Sequence, residues 1–297
     1  MHRIVWRYFL TNFFRRRPSN AWVRTVLRCE QFINAFILSH PRAGRQWTLS
    51  LLCTYFNQLY HLGLDNDVYD TFRLIMPGSI KNITEYPRST RFEQIPFIIP
   101  THRPYDIYSK RLFDGKDLIV LLRSIEDMAL SYYFKKAEFA KTYKSDLSSF
   151  LRDESLGIPN VCKYYNDLAE HISAQHFLVI RYEDLNHDIK KHIIEILKFL
   201  KVPIDMAAID YTIAHNNFSE MQNRYLETKV KVSAKGQIKR PNSWLVRRGC
   251  IGESKECMAS EDLIYIDNML RQELSPKAKN FLNKHLRDRD YLKQHSV

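Results

Sequence analysis

Apolar residues along this chain follow two rhythms. Continuous runs, Phe36 to Leu38, FIIPTHRP from 97, DLIVLLR from 117 and HFLVIRYEDL from 176, each give way to polar residues. Between and after them, EDMALSYYFKKAEFAK, NVCKYYNDLAEHI and KHIIEILKFL carry apolar residues at helical spacing, as do Trp47, Leu51, Leu52 and Tyr55. The runs read as buried strands. Strands alternating with helices predict an α/β fold with a central, mostly parallel sheet flanked by helices, and ligands beyond the carboxyl ends of the strands. The polar residues of interest gather at those ends. No repeat, low-complexity tract or Gly/Ser- or Pro-rich linker divides the 297 residues, so the chain reads as one domain.

The stretch FILSHPRAGRQWTLSLL, residues 36 to 52, predicts a strand, a tight loop at Pro41 to Gly44, and a helix from near Gln46. The first amides of that helix would face the loop with the positive end of the dipole behind them, which makes an anion socket. Gly44 lets backbone approach closely, and Arg42 and Arg45 add mobile charge. The same residues also suit an ordinary strand-to-helix connection with two solvated arginines.

A formal net charge of +12 and a pI of 9.4 favour anionic partners: nucleic acid, acidic membrane or a phosphorylated small molecule. The five cysteines (Cys29, Cys53, Cys162, Cys250, Cys257) are odd in number and widely spaced, without a CxxC pair. They suggest a reducing, cytoplasmic compartment and no metal site. The first acidic residue is Glu30, so MHRIVWRYFLTNFFRRRP is basic and aromatic throughout. Arg7 and Arg15 to Arg17 interrupt it too early for a transmembrane span, and it lacks the core and cleavage site of a signal peptide. It reads as a helix packed on the domain with exposed arginines; peripheral membrane contact is compatible with its charge, though its amphipathicity is poor.

Three segments together resemble the sulfotransferases that use 3′-phosphoadenosine 5′-phosphosulfate (PAPS). Pro41, Arg42, Gly44 and Trp47 fall in register with the 5′-phosphosulfate loop, Pro-Lys/Arg-Ser-Gly-Thr-Thr-Trp, while Ala43, Arg45 and Gln46 replace its small hydroxyl residues. In LIVLLRSIEDMALSYYF, Arg123 and Ser131 match the spacing of the 3′-phosphate motif. In RRGCIGESKE, Arg247, Arg248, Gly249, Gly252 and Lys255 match the C-terminal Arg-Lys-Gly-x-x-Gly-Asp-Trp-Lys loop, with Glu253 and Ser254 in place of its aspartate and tryptophan. By the same resemblance Trp47 and Phe218 would flank the adenine and Tyr182 would lie near it. The resemblance covers roughly residues 35 to 256 and implies a P-loop-like domain on which the segments 1–34 and 257–297 pack. Residues 61 to 95 match nothing in it; in the family that region often shapes the acceptor pocket.

What the resemblance implies chemically is transfer of a sulfuryl group from PAPS to a hydroxyl, less readily an amine, on a small-molecule or glycan acceptor. Adenosine 3′,5′-bisphosphate (PAP) is released, and no metal or nucleic acid takes part. His102 falls where family members carry the general base; a histidine of near-neutral pKa suits that task. Pro100 replaces a lysine two residues before it, and Arg45 is a candidate substitute. Arg42 is placed to stabilise the departing charge. Two other readings stay open. A P-loop phosphotransferase shares the strand, loop and helix, but GxxxxGK[ST] is absent. A non-catalytic basic protein that binds nucleic acid or acidic lipid would explain the charge, but the basic residues are scattered and no nucleic-acid motif occurs.

Overall fold

The computed structural model describes residues 20–64, 75–85, 93–105, 110–173, 175–217, 220 and 251–286. The basic segment 1–18 and four expected donor contacts, Phe218, Arg247, Arg248 and Gly249, lie outside them.

All four strands among the described residues are parallel and form one sheet: β1 (Ala35–Ser39), β2 (Ile98–Thr101), β3 (Asp117–Leu122) and β4 (Phe177–Arg181), in the order β2-β1-β3-β4. The two central strands, β1 and β3, are almost wholly buried, because both faces of the sheet are covered. Phe36 and Leu38 with Leu118, Val120 and Leu122 face one apolar cluster, whereas Ala35 and Ile37 with Ile119 and Leu121 face the other. This is why the strands read as continuous apolar runs rather than alternating ones. Each large aliphatic side chain so covered contributes about 1.5 to 3 kcal/mol. Pro100 pairs with Ile37 on β2, an outer strand where a missing N–H leaves no ladder bond unmade on its open side.

The helices that matter for the site are α1 (Asn20–Arg28), α2 (Arg45–Leu59), α3 (Ile125–Phe134), α4 (Ile158–Ile172), α5 (Tyr182–His187), α6 (Ile189–Phe199) and α7 (Met206–His215), followed by α8 (Ser260–Glu273) and α9 (Pro276–His285). Helices α4, α8 and α9 cover one face of the sheet; α2, α6 and α7 cover the other. Their starts follow capping chemistry. Asp188 accepts from Lys191 N at 2.9 Å, Asp205 from Ala208 N at 2.7 Å, and Ser275 caps α9 with Pro276 behind it.

One expectation needs correcting. Apolar spacing predicts a single helix through Lys141, but α3 ends at Phe134 and Lys135–Phe139 form a π turn, closed by Ala140 N donating to the Lys135 carbonyl at 3.0 Å. A wider turn shifts the helical phase, and such turns favour functional sites. Lys135, its first residue, lies in electrostatic range of Arg42.

Candidate active site

The β1–α2 loop spans residues 40 to 44, and α2 opens at Arg45, one residue ahead of expectation. Two of its residues take the left-handed backbone region: Arg42 at φ 74° and Gly44 at φ 95°. For Gly44 there is a second constraint, since a Cβ there would lie 2.8 Å from Tyr182 Cδ2. Only glycine satisfies both. No side chain caps α2 from Gly44, so what faces the loop is main-chain amide and the positive end of a 15-residue helix.

Residues distant in sequence converge on this loop. Arg42 Nε donates to Ser131 Oγ at 3.0 Å, which ties the loop to α3. Arg123, at the end of β3, approaches the Arg42 carbonyl at 3.4 Å and lies over the Tyr182 ring, 4.4 Å from its centre. Tyr182 meets Trp47 edge to face at 5.6 Å. Trp47 Nε1 donates to the Asn216 carbonyl at 3.2 Å, and the buried Asn216 side chain is held by Ser50, Thr54 and the Thr212 carbonyl. Six expected residues, Arg42, Gly44, Trp47, Arg123, Ser131 and Tyr182, are therefore neighbours, while Gln46 stands partly buried in the first turn of α2.

The C-terminal loop joins them through a residue the sequence reading missed. The Asp127 carboxylate accepts from Gly252 N at 2.6 Å and Ser254 N at 2.9 Å. Ser254, which stands in the tryptophan's place, is buried at this joint. Asp127 sits between Arg123 and Ser131 in the second motif, but only the fold reveals its partner.

His102 follows β2 beside the end of β1. Its Nδ1 lies 2.8 Å from the Ser39 carbonyl, so the neutral ring donates there and Nε2 keeps its lone pair. The near-neutral pKa expected of it is not what the structure gives. Burial, then the Arg45 guanidinium, then His40 and Arg42, lower it to about 3 against the opposing Ser39 bond. Arg45 is also corrected: it is not a mobile loop cation. It is partly buried with Nε covered and without a hydrogen-bond partner, and burial lowers its pKa to about 10. His40 is 2% exposed and lowered by burial to about 4, against its Nδ1 bond to the Pro41 carbonyl. Tyr164, also buried, meets His40 edge to face at 5.4 Å. His40, Tyr164 and Lys135 carry no motif and were not legible as site residues.

The two rings predict acid sensitivity. Below about pH 6.5 an unfolded histidine binds a proton that His40 and His102 refuse until about 4 and 3, so the unfolded state gains as pH falls through that window. Each ring should steepen the loss of stability by up to about 1.4 kcal/mol per pH unit. Urea unfolding followed from about pH 7 to about pH 4.5 measures it; a stability unchanged over that range would mean both rings are open to protons in the folded chain.

Residues 33–278 match the family model of the sulfotransferase domain. This chain belongs to the sulfotransferase domain family. The amine sulfotransferase of Oryctolagus cuniculus is 22% identical over 267 residues, 84% of this chain and 83% of the relative. The luciferin sulfotransferase of Photinus pyralis is 21% identical over 263 residues, 80% and 71%. A mouse sulfotransferase solved in complex with PAP shares the fold at a TM-score of 0.60 and 16% identity, with 88% of this chain and 94% of that one covered. Sulfuryl transfer is thus the chemistry of this sulfotransferase. The family match extends beyond the expected 35–256 at both ends and takes in residues 61–95.

Proposed function

We propose that this sulfotransferase takes its sulfuryl group from PAPS, passes it to a hydroxyl of a small-molecule acceptor and releases PAP. The reading is carried by the convergence of Arg42, Arg123, Ser131 and Tyr182 around one loop, with the free nitrogen of His102 at the adjoining strand end. The loop amides and Arg42 hold the 5′-phosphosulfate; Arg123 and Ser131, with Arg247, Arg248 and Gly249, hold the 3′-phosphate; Trp47, Tyr182 and Phe218 take the adenine. In the transfer the acceptor oxygen attacks sulfur as its proton passes to His102 Nε2, and the bond from sulfur to the bridging phosphate oxygen breaks. The charge left on that oxygen falls to Arg42 and the loop amides, with Lys135 a further cation in range of Arg42. The relatives named for amines and luciferin support a small acceptor.

A reducing, cytoplasmic setting belongs to the same reading, with the free buried thiols of Cys29, Cys53 and Cys162 in its support. Among the described residues no helix is long and apolar enough to cross a membrane.

PAP at about 100 times its dissociation constant should add roughly 2.7 kcal/mol to the unfolding free energy, with a chelator present. Thermal unfolding measures it. Stabilisation by ATP with magnesium and not by PAP would hand the site to phosphoryl transfer. Labelled PAPS offered with pools of hydroxyl compounds tests the transfer itself.

A further inference from the structure

Arg45 stands where the related loops carry a small hydroxyl residue, and its electrostatic neighbours differ from those of the other two site arginines. Arg42 reaches Ser131, while Arg123 lies on Tyr182. Arg45 instead has Tyr164 and His102 as its electrostatic neighbours. Among the described residues no carboxylate acts on its charge, and its covered Nε makes no hydrogen bond. Two further buried polar atoms at the same place are also unsatisfied: His40 Nε2 and the Tyr164 hydroxyl. His40 also packs edge to face on Tyr132 at 6.1 Å. A covered guanidinium without a counter-charge is costly, and so is a buried hydroxyl or ring nitrogen without a partner. Two of the three, the Arg45 guanidinium and the Tyr164 hydroxyl, are donors, and both lie beside one candidate base.

We propose that the acceptor is a hydroxyl compound that itself carries an anionic group, held by Arg45 with the Tyr164 hydroxyl beside His102. This rests on the sulfotransferase reading above and names its substrate class. Arg45 supplies a planar, always charged fork suited to a carboxylate, and Tyr164 adds a hydroxyl donor. A protonated amine in the same place would face Arg45 with like charge, so the class excludes cationic acceptors. Burial is the main cause of the low His102 pKa and the Arg45 guanidinium the next; an anion here would offset the second and so raise the basicity of the group that must take the proton.

The test is a panel of aromatic and aliphatic hydroxy acids, para-hydroxybenzoate among them, each beside its methyl ester. The parent should favour the acids in kcat/KM by about ten- to a hundredfold, the worth of one charge-assisted pairing. In Arg45→Gln that ratio should fall towards one or invert. Calorimetric binding of the same pairs to the PAP-bound enzyme should give the same preference without turnover. Esters bound or turned over as well as acids by a parent that binds PAP would overturn the proposal and leave the donor reading standing. An acid-to-ester ratio kept in Arg45→Gln, with PAP affinity reduced, would assign Arg45 to the donor and also overturn it. A parent that binds no PAP would remove both readings. The parent's own ratio needs no variant, and Tyr164→Phe, which should lower the ratio in part, serves if Arg45→Gln does not fold.

Discussion

His102→Ala should lower sulfate transfer by about 10² to 10⁴ while PAP affinity stays within a few-fold of the parent. The separation follows from the geometry: His102 hangs from β2 and is fixed by the Ser39 carbonyl, whereas the donor contacts come from the β1–α2 loop, β3 and α3. With Nδ1 committed to that carbonyl, Nε2 is the acceptor, and it must be unprotonated to act. A folded-state pKa of about 3 keeps it so at every ordinary pH. The acid limb of kcat/KM, which reports the free enzyme, should therefore lie far below the usual histidine range. The limb of kcat should lie higher, because bound anions offset Arg45 and Arg42. Pre-steady-state transfer and PAP titration of parent and variant across pH decide the matter. Near-normal turnover in His102→Ala would leave His102 a structural residue, and loss of PAP binding would show the substitution reached the donor site.

Arg42→Ala should lower kcat by about 10² to 10³, the usual loss when one preorganised donor to a developing oxyanion is removed. It should also weaken PAP, since Arg42 joins the loop to Ser131 and its carbonyl faces Arg123. Arg42→Lys should recover only part of either loss: an ammonium restores charge but cannot bond Ser131 and a phosphate in one plane. Single-turnover rates at saturating PAPS separate the chemical loss from the binding loss. If Arg42→Ala binds donor weakly yet transfers at the parent's rate once saturated, Arg42 belongs to binding alone.

How much of this could be seen in the sequence depended on how local its cause was. The four strands were legible because burial on both faces demands uninterrupted apolar runs such as DLIVLL, and the loop was legible because Pro41, Gly44 and a following helical spacing sit side by side. Arg123 and Ser131 were found as a spacing within one strand–helix unit. The joint between Asp127 and Gly252 was not, because it closes across 125 positions and neither residue signals it. The same holds for His40, Arg45 and Tyr164, which meet only once α4 has packed beside β1. His102 shows the division within one residue: its place at a strand end was legible, whereas its depressed pKa comes first from burial, then from Arg45 on α2 and from His40 and Arg42 in the loop. The π turn after Phe134 left no mark at all in the apolar spacing.

The sheet also dictates an order of events during synthesis. Ala35 on β1 lies opposite Ile98 and Asp117, and Leu118 on β3 lies opposite Phe177, so every strand partner is roughly 60 to 80 residues away along the chain. Strand β1 is made first and waits longest, its apolar residues Phe36, Ile37 and Leu38 without a strand partner until the ribosome has delivered β2 and β3. The anion loop that follows β1 is therefore among the first site elements synthesised, yet it takes its working shape only after Tyr182, beyond β4, has emerged to close on Gly44. Truncation just before Tyr182 would leave a nascent chain that carries all four strands and no donor site.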